Sequence, residues 1–251
     1  DAANGGAWGF ARVLRLEHPA LRTQSADVSR GADVMVASPA LSGPVMEAEA
    51  AWSGSTRFVA RLRACSTAPE STHALAHGHY AITGGLGGLG LRAVAMIIEG
   101  GATSVVMSSR SGRMTRDGPL LDARPSATAR LMASDVGDAA DALSLLTHAV
   151  LTGVLHAAGV LRDMMLRSMA AADVDAVFAP KALAASHLHR TLAPTPLEAL
   201  GLFSSIASTF GNVGQANYAA ANAYLDALAL SSRRHGTLGS SLQIPFVSGA
   251  G

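Results

Sequence analysis

The sequence predicts an α/β fold built on a doubly wound parallel sheet. Two observations lead to this prediction. From about residue 79 onward, short apolar segments alternate with helical segments through short connections, as in consecutive βαβ units. Hydrophobic residues also make up 49% of the chain and charged residues only 15%, which is enough apolar material for a sizeable buried core. The 251 residues suit one large domain or two small ones.

The alternating region contains six predicted strands and several predicted helices. The strands are short apolar runs at 79–83, 103–110, 129–136, 151–159, 199–208 and 241–246. The helices are predicted at 89–101, 168–192 and 217–234. Gly100 and Gly101 close the first of these helices, and Pro180 predicts a kink or a break within the second.

The region before residue 79 lacks the regular strand–helix alternation. A helix is predicted over WGFARVLRLEHPAL (8–21), with Pro19 ending it, and a strand over 21–29. A second β-like run, TRFVARLRA (56–64), places alternate apolar residues on one face. The Ser- and His-rich segment 65–79 is predicted to be a linker.

Composition excludes several classes of partner and site. The net charge of +1 gives no reason to expect nucleic acid or an anionic membrane surface, and no apolar run is long enough to span a membrane. The single Cys65 excludes an internal disulfide framework and fits a reducing compartment, so we expect the cytoplasm. The histidines of HALAHGH (73–79) lack Cys or carboxylate partners at metal-site spacing, so we expect no metal. Because the chain begins without Met, we expect a segment of a longer protein.

A glycine-rich loop between the first strand and the first helix of the alternating region predicts a Rossmann-like dinucleotide site. The segment TGGLGGLG satisfies both G-x-G-x-x-G and T-G-x-x-x-G-x-G. Such a loop needs a tight turn, a backbone close to the pyrophosphate and a helix N-terminus aimed at the anion. A merely flexible loop is the alternative, and the absent Walker lysine argues against ATP. The loop residues are Thr83, Gly84, Gly85, Leu86, Gly87, Gly88, Leu89 and Gly90.

The ends of the next strands predict how the rest of the cofactor is held. The second strand ends in Ser109 and Arg110, and an arginine there suits the 2′-phosphate of NADPH, although a solvated surface arginine is the alternative. Asp135, followed by Val136, could accept from the adenine amino group or simply cap a helix. The small residues of HAAG, at the end of the fourth strand, allow the backbone to pass close to the cofactor; these are His156, Ala157, Ala158 and Gly159, and we expect the histidine to be structural.

A tyrosine and a serine predict carbonyl reduction. Tyr218, on an Ala-rich helix, resembles the proton donor of short-chain dehydrogenases, and Ser205, at the preceding strand end, can hold a carbonyl oxygen. Short-chain dehydrogenases usually have lysine four residues after this tyrosine, but this chain has Asn222 there. Either the site is broken or the lysine comes from elsewhere. The one lysine of the chain, Lys181, lies on the helix before the fifth strand and could lower the pKa of Tyr218.

A family resemblance resolves that choice. In order, TGGLGGLG, SSRSG, GVLHAAGVLRD, APKALAASHLH, FSSIAS and GQANYAAANAYLDALA resemble the ketoreductase domain of modular type I polyketide synthases, in the short-chain dehydrogenase/reductase superfamily. The resemblance covers about residues 79–244. In that family the lysine comes from the earlier helix and asparagine follows the tyrosine. The resemblance implies that Tyr218 is the acid, Ser205 orients the carbonyl oxygen, Lys181 tunes Tyr218 and binds the ribose, and Asn222 holds Lys181 or a proton-relay water.

The same resemblance implies the domain organisation, the reaction and the partners. Residues 1–75 would be a truncated, degenerate Rossmann-like structural subdomain, and residues 76–251 the NADPH-binding catalytic subdomain, ending before the substrate lid. The substrate would be a β-ketoacyl chain on the phosphopantetheine arm of an acyl carrier protein, within polyketide or fatty-acid-like assembly. Neighbouring synthase domains would be further partners. Two alternatives remain: a catalytically idle module of a megasynthase, and a short-chain dehydrogenase acting on a free small ketone.

The markers of product configuration are mixed. One subgroup of the family carries Leu-Asp-Asp after the fourth strand, and here Leu161 and Asp163 flank Arg162. The other subgroup carries Trp three residues before the serine, where this chain has Leu202. The resemblance therefore favours the first subgroup and a D-configured hydroxyl, with Asp163 as a helix-starting residue the alternative.

Overall fold

The computed structural model describes residues 2–29, 47–64, 77–113, 128–147 and 149–247. Its main feature is a six-stranded parallel sheet in the order β6-β5-β4-β7-β8-β9, which confirms the predicted doubly wound α/β fold. The strands of this sheet are β4 (His79–Thr83), β5 (Ser104–Ser109), β6 (Thr128–Ala133), β7 (Gly153–His156), β8 (Ala199–Ser205) and β9 (Ser240–Ile244). The chain reverses its direction of winding between β4 and β7, where such sheets bind their ligands.

The helices of the described residues surround this sheet. They are α1 (Ala2–Glu17), α2 (Gly88–Glu99), α3 (Ala139–Thr147), α4 (Ala171–Phe178), α5 (Ala184–Leu192), α6 (Ala207–Phe210) and α7 (Ala216–Arg234). None of the helices in these ranges is long and apolar enough to cross a lipid bilayer.

The core consists of one apolar layer on each face of the sheet. In β4, Ile82 faces a cluster with α2, whereas Ala81 faces a cluster with α3, α5 and α7. The same alternation separates Val154 from Leu155 in β7. Both faces of the central strands are therefore buried, which explains why these strands read as continuous apolar runs rather than alternating ones.

The predicted helix over 168–192 is interrupted at Pro180. The α-helical hydrogen bonding of α4 gives way to one π-helical turn, Ala179–Leu183, before α5 begins. Proline lacks the N–H that the regular ladder needs at that position, and a widened turn accommodates the loss. The predicted kink or break is thus a π-turn that carries Lys181.

The N-terminal helix is longer than the sequence pattern suggested and packs along α7. It begins at Ala2 instead of near Trp8. A Cβ on Gly5 would lie 2.5 Å from the carbonyl oxygen of Ala223, and one on Gly9 would lie 2.4 Å from that of Ala219. These glycines therefore let the two helix backbones approach more closely than any side chain would permit.

A small mixed sheet accompanies α1. It comprises β1 (Ser25–Val28), β2 (Glu49–Ser53) and β3 (Thr56–Phe58), with β1 parallel and β3 antiparallel to β2. Arg12 and Arg15 of α1 both bind the Glu49 carboxylate of β2. The strand predicted over 56–64 was too long, because β3 pairs with β2 only as far as Phe58 opposite Ala51.

Residues 65–76 of the predicted linker lie outside the described residues, as does Cys65. The division into a structural subdomain at 1–75 and a catalytic subdomain at 76–251 stays a prediction.

The close approach of α1 and α7 predicts opposite effects for two neighbouring glycines. Gly9→Ala should lower the free energy of unfolding by about 1–3 kcal/mol, because the new methyl group collides with the α7 backbone. In Gly6→Ala the nearest atom to the new Cβ is 3.5 Å away, so this matched control should be neutral or stabilising by up to about 1 kcal/mol. Urea denaturation of both variants measures the difference. Equal destabilisation would contradict the packing described for α1.

Candidate active site

A cleft of about 930 Å³ opens at the carboxyl ends of the parallel strands. Its walls come from the glycine loop, the end of β7, the π-turn, the end of β8 and the start of α7. The predicted site residues that line it are Gly84, Gly87, Gly88, Leu89, Gly90, Ala157, Gly159, Leu161, Lys181, Ser205 and Tyr218. Residues from distant parts of the sequence thus meet in one place, as expected for an open α/β sheet.

The glycine loop has the close approaches that a dinucleotide site needs. Gly84 has φ +67°, in the left-handed region, and a Cβ there would lie 2.6 Å from Ala158 in the neighbouring strand connection. A Cβ on Gly90 would lie 2.3 Å from the carbonyl oxygen of Gly84. The loop therefore presents bare backbone at the N-terminus of α2, where free N–H groups and the helix dipole favour an anion.

Two further loop residues, Gly85 and Leu86, attach the glycine loop to the sheet and to the apolar core. Gly85 donates from its backbone nitrogen to the Ser108 carbonyl (3.2 Å), which ties the loop to β5. Leu86 is buried in the apolar layer with α2.

A buried histidine connects the glycine loop to the lysine-bearing turn. His156 is fully buried, with Nδ1 2.6 Å from the Thr83 hydroxyl and Nε2 3.0 Å from the Lys181 carbonyl oxygen. Burial, together with the nearby charge of Lys181, lowers the pKa of His156 to about 4 despite the hydrogen bond to that carbonyl. The imidazole is therefore neutral at physiological pH and bridges the two segments by its two ring nitrogens.

Lys181 belongs to the π-turn and not to α7, the helix that carries Tyr218, and its side chain lines the cleft. Its ammonium donates to the Phe203 carbonyl oxygen at 2.9 Å and lies 5.4 Å from the centre of the Tyr218 ring. Only 5% of the residue is exposed, and burial lowers the pKa of Lys181 to about 8 although Asp226 favours the charged form. Gly159 leaves room for the side chain, since a Cβ there would lie 2.7 Å from its Cε.

Tyr218 lies in the first turn of α7, beside Ser205 at the end of β8. Burial raises the pKa of Tyr218, while hydrogen bonding by Ser205 and then Asn222 acts in the opposite direction. Lys181 is not among the groups that shift the pKa of Tyr218, although its ammonium lies 5.4 Å from the centre of the ring. Lowering of the tyrosine pKa by Lys181 therefore stays a prediction.

Asn222 is fully buried one helical turn after Tyr218. Its side-chain nitrogen donates to the Tyr218 carbonyl at 2.9 Å, whereas its Oδ1 has no hydrogen-bond partner among the described residues. The resemblance implied that Asn222 holds Lys181 or a proton-relay water. The Lys181 ammonium contacts the Phe203 carbonyl and not Asn222. The Asn222 Oδ1, which has no partner among the described residues, is free to accept from a proton-relay water.

The residues expected around the adenine and its ribose lie at the ends of β5 and β6. Arg110 has an exposed side chain directly after β5, and Ser109 Oγ accepts from the Gly112 nitrogen at 3.1 Å. Asp135 is exposed, and its Oδ1 accepts from the Gly137 nitrogen at 3.0 Å within a turn. None of these residues lines the cleft itself.

The N-cap of α3 is Asp138, whereas the sequence pattern offers Asp135 as a helix cap. Asp138 Oδ1 accepts from the backbone nitrogens of Ala140 and Asp141, at 2.8 and 3.1 Å, so Asp138 and not Asp135 caps α3. Val136 is buried in the core.

The expected substrate-side residues separate into two groups. Leu161 is exposed in the cleft wall, and Asp163 accepts from the Gln215 side chain at 2.8 Å. Leu202, at the position of the second subgroup's marker, faces the apolar core because of the alternation along β8, with 2% exposure. Phe210, five residues after Ser205, lines the cleft instead and is 56% exposed.

Sequence reasoning missed several further residues of the cleft wall. They come from the end of β8 and its connection to α7, and from the end of β9 and the segment after it, and are Phe203, Ser204, Ile206, Phe210, Gly211, Asn212, Gln215, Ile244, Pro245, Phe246 and Val247. The one signal for them was the presence of apolar residues in short connections that follow strand ends. Within the described ranges no three His, Cys, Asp or Glu side chains are grouped as for a metal ion.

Comparison with known families and proteins identifies the relatives of this chain. Residues 78–249 match the family model described as KR domain. The chain is 36% identical over 233 residues to a phenolphthiocerol/phthiocerol polyketide synthase of Mycobacterium tuberculosis, covering 88% of this chain and 13% of that protein. It is 38% identical over 248 residues to the spectinabilin polyketide synthase system protein NorA′ of Streptomyces orinoci, covering 94% of this chain and 7% of that protein.

A solved structure of A-type ketoreductases from a modular polyketide synthase is similar to nearly the whole of this chain. It matches with a TM-score of 0.88 at 34% identity, over 97% of this chain and 54% of that chain. The chain therefore spans a small part of the synthases it resembles and about half of the solved ketoreductase.

Burial of His156 predicts a specific loss of stability in acid. The unfolded chain binds a proton at this residue below pH about 6.5, whereas the folded chain does so only below about 4. Unfolding therefore takes up a proton between these values, and the free energy of unfolding should fall by about 3 kcal/mol as the pH decreases through that window. Urea denaturation at pH 7 and pH 4.5 measures most of this loss. In His156→Asn the loss should shrink by the same amount, and an unchanged pH dependence would contradict the assignment.

Proposed function

Because the chain belongs to the KR domain family, we propose that it catalyses the NADPH-dependent reduction of a β-ketoacyl thioester, carried by an acyl carrier protein, to the β-hydroxyacyl thioester. The observation that carries the proposal is the meeting of Lys181, Ser205 and Tyr218 in one cleft with the glycine loop. The polyketide synthase relatives support neighbouring synthase domains as partners and chain assembly as the setting. We expect the protein to act in the cytoplasm.

The residues of the cleft fit a nicotinamide dinucleotide. The pyrophosphate would lie against the bare backbone at Gly84 and Gly90, where a Cβ would collide with the loop itself or with the next strand connection. Arg110, exposed at the end of β5, would bind the 2′-phosphate that distinguishes NADPH from NADH. When bound, this cofactor supplies the hydride that the β-carbon of the substrate accepts.

Two side chains would serve the carbonyl oxygen. The Ser205 hydroxyl would orient this oxygen by hydrogen bonding, and the Tyr218 hydroxyl would deliver the proton that completes the alcohol. Both lie in the cleft wall, and hydrogen bonding by Ser205 already favours the ionised form of Tyr218. The Lys181 ammonium, 5.4 Å from the tyrosine ring, would stabilise the phenolate left behind and help to hold the ribose.

Mutation of Tyr218 tests the proton donor. Purified chain mixed with NADPH and a β-ketoacyl thioester should oxidise the cofactor, and Tyr218→Phe should reduce this rate by at least ~100-fold, since general acid catalysis contributes that much. Absorbance of NADPH measures the rate. Tyr224→Phe, on the same helix but outside the cleft, is the matched control and should keep the activity.

The outcomes separate the candidate functions. Cofactor binding without turnover by the unaltered chain would indicate a catalytically idle module. Reduction of small free ketones in preference to the thioester would indicate an ordinary short-chain dehydrogenase. Absence of NADPH binding would overturn the cofactor assignment.

Mutation of Arg110 tests the choice of cofactor. Arg110→Ala should weaken NADPH binding by roughly 10- to 100-fold, the usual effect of losing hydrogen bonds to a charged group, and should leave NADH binding unchanged. Fluorescence titration with each dinucleotide measures the two dissociation constants. Arg234→Ala removes the same charge at the far end of α7 and should affect neither. A parallel loss of affinity for both dinucleotides would show that Arg110 does not read the 2′-phosphate.

A further inference from the structure

The last residue of α1 reaches two backbone amides in loops that border the cleft. One carboxylate oxygen of Glu17 accepts from the Leu166 nitrogen at 2.7 Å, and the other accepts from the Gly214 nitrogen at 2.9 Å. These partners are 149 and 197 residues away in the sequence. A single partly buried side chain therefore joins three segments that the chain otherwise keeps far apart.

The two amides belong to the loops that border the cleft. Leu166 lies in the post-β7 loop (residues 160–170), and Gly214 lies in the pre-α7 loop (residues 211–215). The post-β7 loop contributes Val160 and Leu161 to the cleft wall, and the pre-α7 loop contributes Gly211, Asn212 and Gln215. Tyr218 follows the second loop by three residues, so the placement of this loop also affects the start of α7.

The loops are linked to one another as well as to Glu17. The Met164 nitrogen donates to the Gly214 carbonyl at 2.8 Å, and the Gln215 side chain donates to Asp163 at 2.8 Å. The side-chain oxygen of Gln215 in turn accepts from Asn212 at 3.0 Å. Gly214 has φ +79°, a left-handed conformation that turns its nitrogen and carbonyl toward these partners.

Helix electrostatics alone gives no reason for a carboxylate at this position. The C-terminus of a helix carries partial negative charge, so an anionic side chain in the last turn of α1 is unfavourable unless it is bonded elsewhere. The two amide donors provide that bonding. The helix that holds Glu17 is itself fixed, because Val13 is fully buried against α7 and Arg12 binds both Glu49 and the Ser208 carbonyl.

We propose that Glu17 is a positioning residue that fixes the post-β7 and pre-α7 loops around the substrate, so that α1 sets the orientation of the β-ketoacyl chain and hence the configuration of the hydroxyl. This inference rests on the proposed reduction. It assigns to the N-terminal segment a role in specificity, whereas the cofactor side of the cleft does not depend on Glu17.

The test uses Glu17→Gln in the full chain, with Glu99→Gln as matched control. The glutamine has the same shape but directs an NH₂ group at one of the two amides, while Glu99 is an exposed residue at the end of α2. Hydrogen exchange of the Leu166 and Gly214 amides is measured first. We expect exchange at least ~10-fold faster in Glu17→Gln and unchanged in the control.

The second readout is reduction of a β-oxopentanoyl N-acetylcysteamine thioester with NADPH. We expect KM for the thioester to rise roughly 10-fold, the ratio of D- to L-hydroxyl product to move toward equality, and the NADPH dissociation constant to stay unchanged. Chiral chromatography measures the ratio. A merely structural role would lower the active fraction, and so kcat, without changing KM or the product ratio.

The contrary outcomes are distinct. Unchanged amide exchange in Glu17→Gln, or an unchanged KM and product ratio, would overturn the positioning role. If Glu17→Gln fails to fold, Glu17→Asp, which keeps the charge on a shorter stem, replaces it with the same expectations. Absence of turnover by the unaltered chain would overturn the proposed reduction itself, and the positioning role with it.

Discussion

The buried Lys181 ammonium is the group on which the arrangement of this cleft most depends. A charged amine that is almost fully enclosed is costly unless its environment is built for it. The Phe203 carbonyl accepts its hydrogen bond, Asp226 favours its charged form, and Gly159 leaves space for its side chain. The π-turn at Pro180 places the lysine opposite the tyrosine helix, and His156 holds the carbonyl of that turn against the glycine loop. The cofactor loop and the lysine-bearing turn are consequently parts of one hydrogen-bonded unit, and the lysine ammonium lies 5.4 Å from the centre of the tyrosine ring.

The sequence predicted the parts of this structure that depend on local chemistry. Strand and helix alternation, the loop at Thr83–Gly90 and the interruption at Pro180 all follow from the preferences of short segments. The exchange of lysine and asparagine could be interpreted only through a family resemblance, because spacing alone does not say which helix lies beside Tyr218. The burial of Leu202 in the core could not be predicted from the sequence, since it depends on which face of the strand the helices cover.

The features that sequence reasoning missed are long-range. Nothing near Glu17 indicates that its carboxylate meets amides at Leu166 and Gly214, because helix ends carry such residues for many reasons. The glycines of α1 are poor helix formers in isolation, and their value becomes apparent only against the Ala-rich surface of α7. The length of β3 is likewise set by its partner strand and not by its own alternating pattern. In each case a distant segment overrides a local preference.

The pairing of α1 with α7 also has a consequence for the order in which the chain can fold as it is made. The apolar stripe of α1, with Val13 at its centre, is buried by residues near Ala216 and Ala219, which are synthesised about 200 residues later. At ribosomal rates of roughly 5–20 residues per second, this stripe has no native partner for about 10–40 seconds. Helix α1 is therefore made before the helices it packs against and is among the last of the described helices to be packed, so a chaperone that shields an amphipathic helix would serve this segment.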